Sequence, residues 1–185
     1  MILHFGLGAF HRAHQAVHTQ EAGDGWAICA VAPRSLDVVR ALRAQDHRYT
    51  VLVRAAAPNG RRRRSGGSGQ LRQPPRQRAS VCVRPCCACG GVLKGVSFPA
   101  TVVDRMVPAT TPDDLAMAAK LTGRADLAAV MAEPYSQWVL QDDFPAGRPA
   151  GKRAGARFVA DTEPYERVKL RMLNGVHGTL AYTGL

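Results

Sequence analysis

Met1-Ile2-Leu3-His4-Phe5-Gly6-Leu7-Gly8-Ala9-Phe10-His11-Arg12-Ala13-His14 is the stretch on which the fold turns. Ile2 to Phe5 reads as a short strand and Gly6-Leu7-Gly8 as a tight turn. From Phe10 to about Glu21 the pattern suits a helix, which Gly23-Asp24-Gly25 ends. Trp26 to Ala32 is an apolar run too short for an ordinary helix, and so a buried strand. Leu36 to Gln45 has helical spacing, and Tyr49 to Val53 is a β-branched strand. Strand, helix, strand, helix, strand is the order of a parallel α/β sheet. In that context Gly6 and Gly8 form a candidate pyrophosphate turn. The first glycine permits the sharp bend, the second lets backbone approach the ligand, and the helix start offers free N–H groups. The usual third glycine would fall where His11 stands, so spacing alone fits an ordinary strand-to-helix turn equally well. Asp37 is the nearest acid for a ribose at the end of the second strand. It is late for that role and fits a surface helix position as well, while Arg34 would favour a 2′-phosphate.

Order weakens after Val53 and returns near Val92. Ala100 to Val103 resembles a strand, and Thr111-Pro112-Asp113-Asp114 reads as an N-cap with proline at the first helical position. Leu127 to Met131 is a short apolar run. Ser136 to Leu140 and Phe158 to Ala160 read as strands, with loop over Pro145 to Gly155. Tyr165 to about Tyr182 is the strongest helix signal in the chain.

That helix carries polar chemistry. At about 100° per residue, with Lys169 at 0°, Glu166 falls near 60°, His177 near 80° and Asn174 near 140°. Leu173, Val176 and Leu180 lie within about 40° of Lys169, so the amine is expected in an apolar stripe. Apolar surroundings penalise the ammonium and lower its pKa. A neutral amine can take the proton of an alcohol as hydride leaves. Asn174 and His177 can then hydrogen-bond the oxygen as it becomes a carbonyl. One difficulty stands: Lys169 to His177 spans roughly 12 Å of helix axis. The competing reading is a core helix with a snorkelling lysine, an outward asparagine and a satisfied histidine.

The formal net charge is +11, which at first suggests a nucleic-acid partner. Between Arg54 and Arg84, however, there are nine Arg, no Lys and no acid, so the excess belongs to one segment. That segment has no aromatic residue on which bases could stack. With its arginine run, Ser65-Gly66-Gly67-Ser68-Gly69 and Pro74-Pro75, it has the composition of a disordered stretch. Cys82, Cys86, Cys87 and Cys89 offer one Cys-x2-Cys arm and no second, so zinc is a weak rival. Cys29 is expected to be a small buried hydrophobe. No apolar run is long enough for a membrane helix, the first residues lack a signal-peptide pattern, and a cytoplasmic location is the expectation.

Phe5-Gly6-Leu7-Gly8-Ala9-Phe10-His11-Arg12-Ala13-His14 and Lys169-x4-Asn174-x2-His177 together resemble the mannitol dehydrogenase family, the NAD-dependent, metal-independent oxidoreductases of polyols and sugar acids. Gln45 to Thr50, Phe98 to Pro108, Glu133 to Val139 and Asp142 to Pro149 resemble it too. The resemblance implies a partial Rossmann-like parallel sheet followed by the first helix of an α-helical domain. It implies NAD as cofactor, held by Gly6, Gly8, Phe10, Arg12 and Asp37. It makes Lys169 the catalytic base, Asn174 and His177 the oxyanion and substrate contacts, Glu166 an aid to proton release, and Asp104 a substrate-site acid. The expected substrate is a small polyol, or a ketose or uronate in reverse. The expected boundaries are 1–53 and 92–160 for two parts of the NAD-binding domain, 54–91 for out-of-frame sequence, and 161–185 for the start of the helical domain. The family's strands and Cys-Asp-Asn-type motif between Tyr49-Thr50-Val51-Leu52 and Phe98-Pro99-Ala100-Thr101 have no counterpart. An inactive remnant is therefore the alternative, ahead of a basic nucleic-acid binder.

Overall fold

A computed structural model describes residues 1–32, 36–54, 70–71 and 96–184. The arginine run, the cysteine cluster, Arg34 and most of the 54–91 segment lie outside the described residues.

β1 (Ile2–Phe5) pairs in parallel with β2 (Ile28–Val31), and α1 (Ala9–Ala13) and α2 (Gln15–Ala22) connect them. The single helix expected from Phe10 to Glu21 is thus two. His14 leaves helical geometry at φ −120° and ψ −89°, and its ring is fully buried. After α3 (Asp37–Ala44) comes β3 (Val51–Val53), with antiparallel β4 (Gln70–Leu71) on one side. On its other side β3 runs parallel to β6 (Val130–Ala132). β5 (Thr101–Asp104) is antiparallel to β7 (Gln137–Gln141), and β7 is parallel to β8 (Arg157–Val159). The α/β class holds, but two details are corrected. The sheet is mixed at β5 and β4, and among the described residues no strand bridges the β1–β2 ladder to β3–β6. An antiparallel edge strand is a common companion of a parallel sheet.

Packing carries the continuity that the ladders lack. Val39 and Leu42 of α3, Ile28 and Ala30 of β2, Val51 of β3 and Val130 of β6 share one buried cluster. A second cluster sets Ala118 of α4 (Pro112–Thr122) against Leu52 and Met131. A third places Trp138 and Leu140 over Ala156. β2 and β6 are buried on both faces, which explains their continuous apolar sequence.

α4 starts as its sequence suggests. Thr111 accepts from the Asp114 N–H, the Asp114 carboxylate accepts from the Thr111 N–H, and Pro112 stands at the first position. Replacing Thr111 with Ala is expected to cost about 1 kcal/mol, read as a lower urea midpoint at unchanged slope.

The last helix begins as α5 (Glu163–Val168), passes through a π-helical turn (Lys169–Asn174) and ends as α6 (Gly175–Thr183). Its apolar stripe is packed only in part: Val176 and Leu180 are exposed. The expected apolar stripe around Lys169 is only partly met: Leu173 is half-buried beside the amine, while among the described residues nothing covers Val176 and Leu180. A Cβ at Gly175 would meet, among the described residues, only the Leu170 carbonyl of its own helix.

Candidate functional site

The glycine turn follows β1 at its carboxyl end, where open α/β sheets bind ligands. The Gly6 N–H donates to the Val31 carbonyl at 2.7 Å, so the turn is pinned to the end of β2. Gly6 has φ +109°, a conformation that only glycine adopts at low cost. Gly8 caps α1 at φ −71° and ψ 173°, which any residue tolerates, and a Cβ there would meet nothing within 4 Å. Among the described residues nothing in the packing requires a glycine at position 8. A ligand brought against the backbone would require one, so the turn fits a dinucleotide pyrophosphate.

Phe10 is partly exposed, with its ring stacked on His14 at 5.2 Å. Arg12 is turned inward. It donates to the Leu7 carbonyl at 2.8 Å, and its guanidinium lies 5.9 Å from the Tyr49 ring. The Tyr49 hydroxyl in turn donates to the Arg12 carbonyl at 2.7 Å. Burial lowers the Arg12 pKa and raises that of Tyr49. These bonds tie the Arg12 guanidinium and backbone to the turn and to Tyr49. Asp37 opens α3, is exposed, and pairs with Arg40 at 3.5 Å.

A cleft of about 440 Å³ lies between the β5–β7 ladder and the last helix, lined by Asp104, Tyr135, Gln137, Tyr165, Lys169 and Leu173 among others. The Lys169 side chain donates to the Val103 carbonyl, which ties it to β5 in the wall of this cleft. Lys169 and Asp104, which the resemblance assigns to one site, line one cavity. Asn174, His177 and Glu166 are exposed and do not line it. Tyr135, Gln137 and Tyr165 line it but were not singled out. Tyr135 and Gln137 sit two apart around the start of β7, so alternation along that strand could have indicated them.

Histidines tie the turn to the cleft. His14 Nε2 donates to the Gln137 carbonyl at 2.8 Å. His18 Nδ1 donates to the Ala154 carbonyl at 2.7 Å, which leaves Nε2 to accept from the Ser136 hydroxyl at 2.9 Å. Both rings lie against Trp138. Burial pushes the His14 pKa down to about 4, aided by the charges of His18, Arg105 and Lys169. His11, stacked on His4 at 3.8 Å, is pushed down to about 3 by burial and then by His4. Arg105 adds a further link, donating to the Ala13 and Glu133 carbonyls. The spacing of His11, His14 and His18, every three or four residues, was the sequence signal for this buried row.

The family model for the mannitol dehydrogenase Rossmann domain matches residues 1–62 and 91–153. The uncharacterized oxidoreductase YeiQ of Escherichia coli is 30% identical, with 99% of this chain and 57% of that protein covered. That alignment runs over 281 positions against the 185 residues present here, so the relative carries stretches that this chain lacks. The D-mannonate oxidoreductase of Escherichia coli is 52% identical over 91 residues, 49% of this chain and 19% of that protein. Among solved structures, a Pseudomonas fluorescens mannitol 2-dehydrogenase in ternary complex with NAD and D-mannitol superposes with a TM-score of 0.70 at 23% identity. That match covers 99% of this chain and 57% of the other. The chain spans little more than half the length of the relatives to which it aligns throughout.

Proposed function

The chain belongs to the mannitol dehydrogenase family, and from that premise we propose that it is an NAD-dependent oxidoreductase that interconverts a secondary alcohol of a polyol or sugar acid and its ketone. The observation that carries this reading is the pairing of a glycine turn open at Gly8 with a lysine amine fixed in a cleft beside Asp104. The named relatives support the substrate class, one as a D-mannonate oxidoreductase and one as a mannitol 2-dehydrogenase bound to D-mannitol. Residues 1–53 and 92–160 are read as two parts of one nucleotide-binding domain, and the helix over 163–183 as bearer of the catalytic groups.

In this reading Gly6 and Gly8 hold the pyrophosphate, Phe10 lies against the cofactor, and Arg12 keeps the turn in shape. Asp37 is the candidate for the ribose hydroxyls. Bound NAD would supply the hydride acceptor. The Lys169 amine takes the hydroxyl proton, with no metal needed to polarise the oxygen. One of its N–H bonds stays on the Val103 carbonyl, which aims the lone pair. Asp104 engages a neighbouring hydroxyl in the cleft. Asn174 and His177 donate to the substrate oxygen as the carbonyl forms, and Glu166 passes the proton to solvent.

The test is NADH binding by fluorescence titration, followed by NADH oxidation in the presence of fructose and of fructuronate. The reading expects saturable binding and turnover of one of the two. Gly8→Ala is expected to leave the urea midpoint unchanged and to weaken NADH binding at least tenfold. Unchanged binding would remove the turn from the site. A second reading rests on the exposure of Asn174 and His177: a remnant that binds the nucleotide but does not turn over. NADH binding with no oxidation of either sugar above the Lys169→Ala background would select it.

A further inference from the structure

The last helix is not regular where its chemistry lies. Lys169 to Asn174 form a π-helical turn, and the Gly175 N–H donates to the Leu170 carbonyl, five residues back instead of four. α-Helical backbone stands on both sides. Such single turns hold one extra residue and cluster at functional sites.

The extra residue changes which side chains share a face. In a regular helix Asn174 sits about 140° from Lys169, on the far flank. A hydrogen bond between residues five apart stacks those two along the axis, as bonds four apart stack residues i and i+4 at about 40° in an α-helix. Asn174 is five residues after Lys169, and the π turn begins on one and ends on the other. α-Helical geometry then resumes, so His177, three residues on, falls about 60° back from Asn174, on the opposite flank of Lys169.

We propose that the π turn is a positioning device that rotates Asn174 and His177 onto the face of Lys169, so that the two donors bracket the amine. The inference rests on the catalytic reading given above and deepens it. A straight helix would hold the three groups on a spread of well over a quarter-turn. The turn gathers them toward the side of the helix that carries Lys169. It also shortens the run between them, because an extra residue per turn adds no extra rise. The spacing of five between lysine and asparagine, awkward for an α-helix, is the spacing this turn needs.

Metal bridging tests the geometry without recourse to catalysis. In the full chain, with the five cysteines alkylated and His177→Ala as background, Lys169→His with Asn174→His places two imidazoles five apart. Lys169→His with Leu173→His places them four apart, a pair that bridges a metal in any formed helix. Ni(II) titration is expected to show the 169/174 pair binding at least tenfold tighter than Lys169→His alone. A 169/174 pair no tighter than the single variant, beside a 169/173 pair that binds, would mean a regular helix and overturn the proposal. Failure of both pairs would overturn it too, since no ordered turn would then be present. Either outcome leaves the NADH and sugar assays free to support or reject the dehydrogenase reading separately.

Discussion

Acidification from pH 7.5 to 5 is expected to remove about 4 kcal/mol of folding stability through His11 and His14 alone. Burial holds the two imidazoles at about 3 and about 4, so both stay neutral in the folded protein across this range. In the unfolded chain each takes up a proton near its ordinary value of 6.5. The unfolded state therefore binds more protons below pH 6.5, and stability rises with pH. The contribution is fully present above about 6.5, falls as pH drops below it, and levels off only as the folded values are reached. Urea midpoints at pH 7.5, 6 and 5 measure it. His11→Phe, which keeps an aromatic ring against His4, should halve the pH slope whatever it does to the midpoint. A slope untouched by that change would show that His11 is not a source.

Lys169→Ala is expected to lower kcat/KM for sugar reduction by 10²- to 10⁴-fold, the usual span for loss of a positioned acid or base. NADH affinity should be unchanged, because the amine belongs to the cleft and not to the glycine turn. Lys169→Arg should be nearly as impaired. A guanidinium can still donate to the Val103 carbonyl, but it cannot give up its charge to receive a proton. Recovery of activity in the arginine variant would make position 169 a mere electrostatic contact.

Much of this was legible in the sequence because it depends on residues close together in the chain. Ile2 to Gly8 specifies strand and turn through alternation and two glycines. Thr111 to Asp114 specifies a cap through four neighbouring residues. Lys169 and Asp104 share a cleft because the motifs around them carry the family pattern. What stayed hidden was set by distant partners or by one hydrogen bond. The break at His14 coincides with its bond to the Gln137 carbonyl, 123 residues away. The reversed direction of β5 depends on Trp138 and Val139 across the ladder. Arg12 reads as a solvated cation beside an anion-binding turn, and only Tyr49 and Leu7 show why it faces inward. The wheel drawn at a constant advance per residue failed at Asn174, since side-chain periodicity cannot reveal a carbonyl bonded one residue further along.

Among the described residues the last helix is fastened near its root and exposed beyond it. Thr162 is buried, the Arg157 guanidinium lies 5.7 Å from the Tyr165 ring, and Lys169 grips Val103, whereas no residue of α6 is buried. Within the described residues it is held as a cantilever is, and the reach of such an arm grows with distance from its clamp. Lys169 sits at the anchored end and His177 farther out, so in the proposed mechanism aim is sharpest for the base and loosest for the donor at 177.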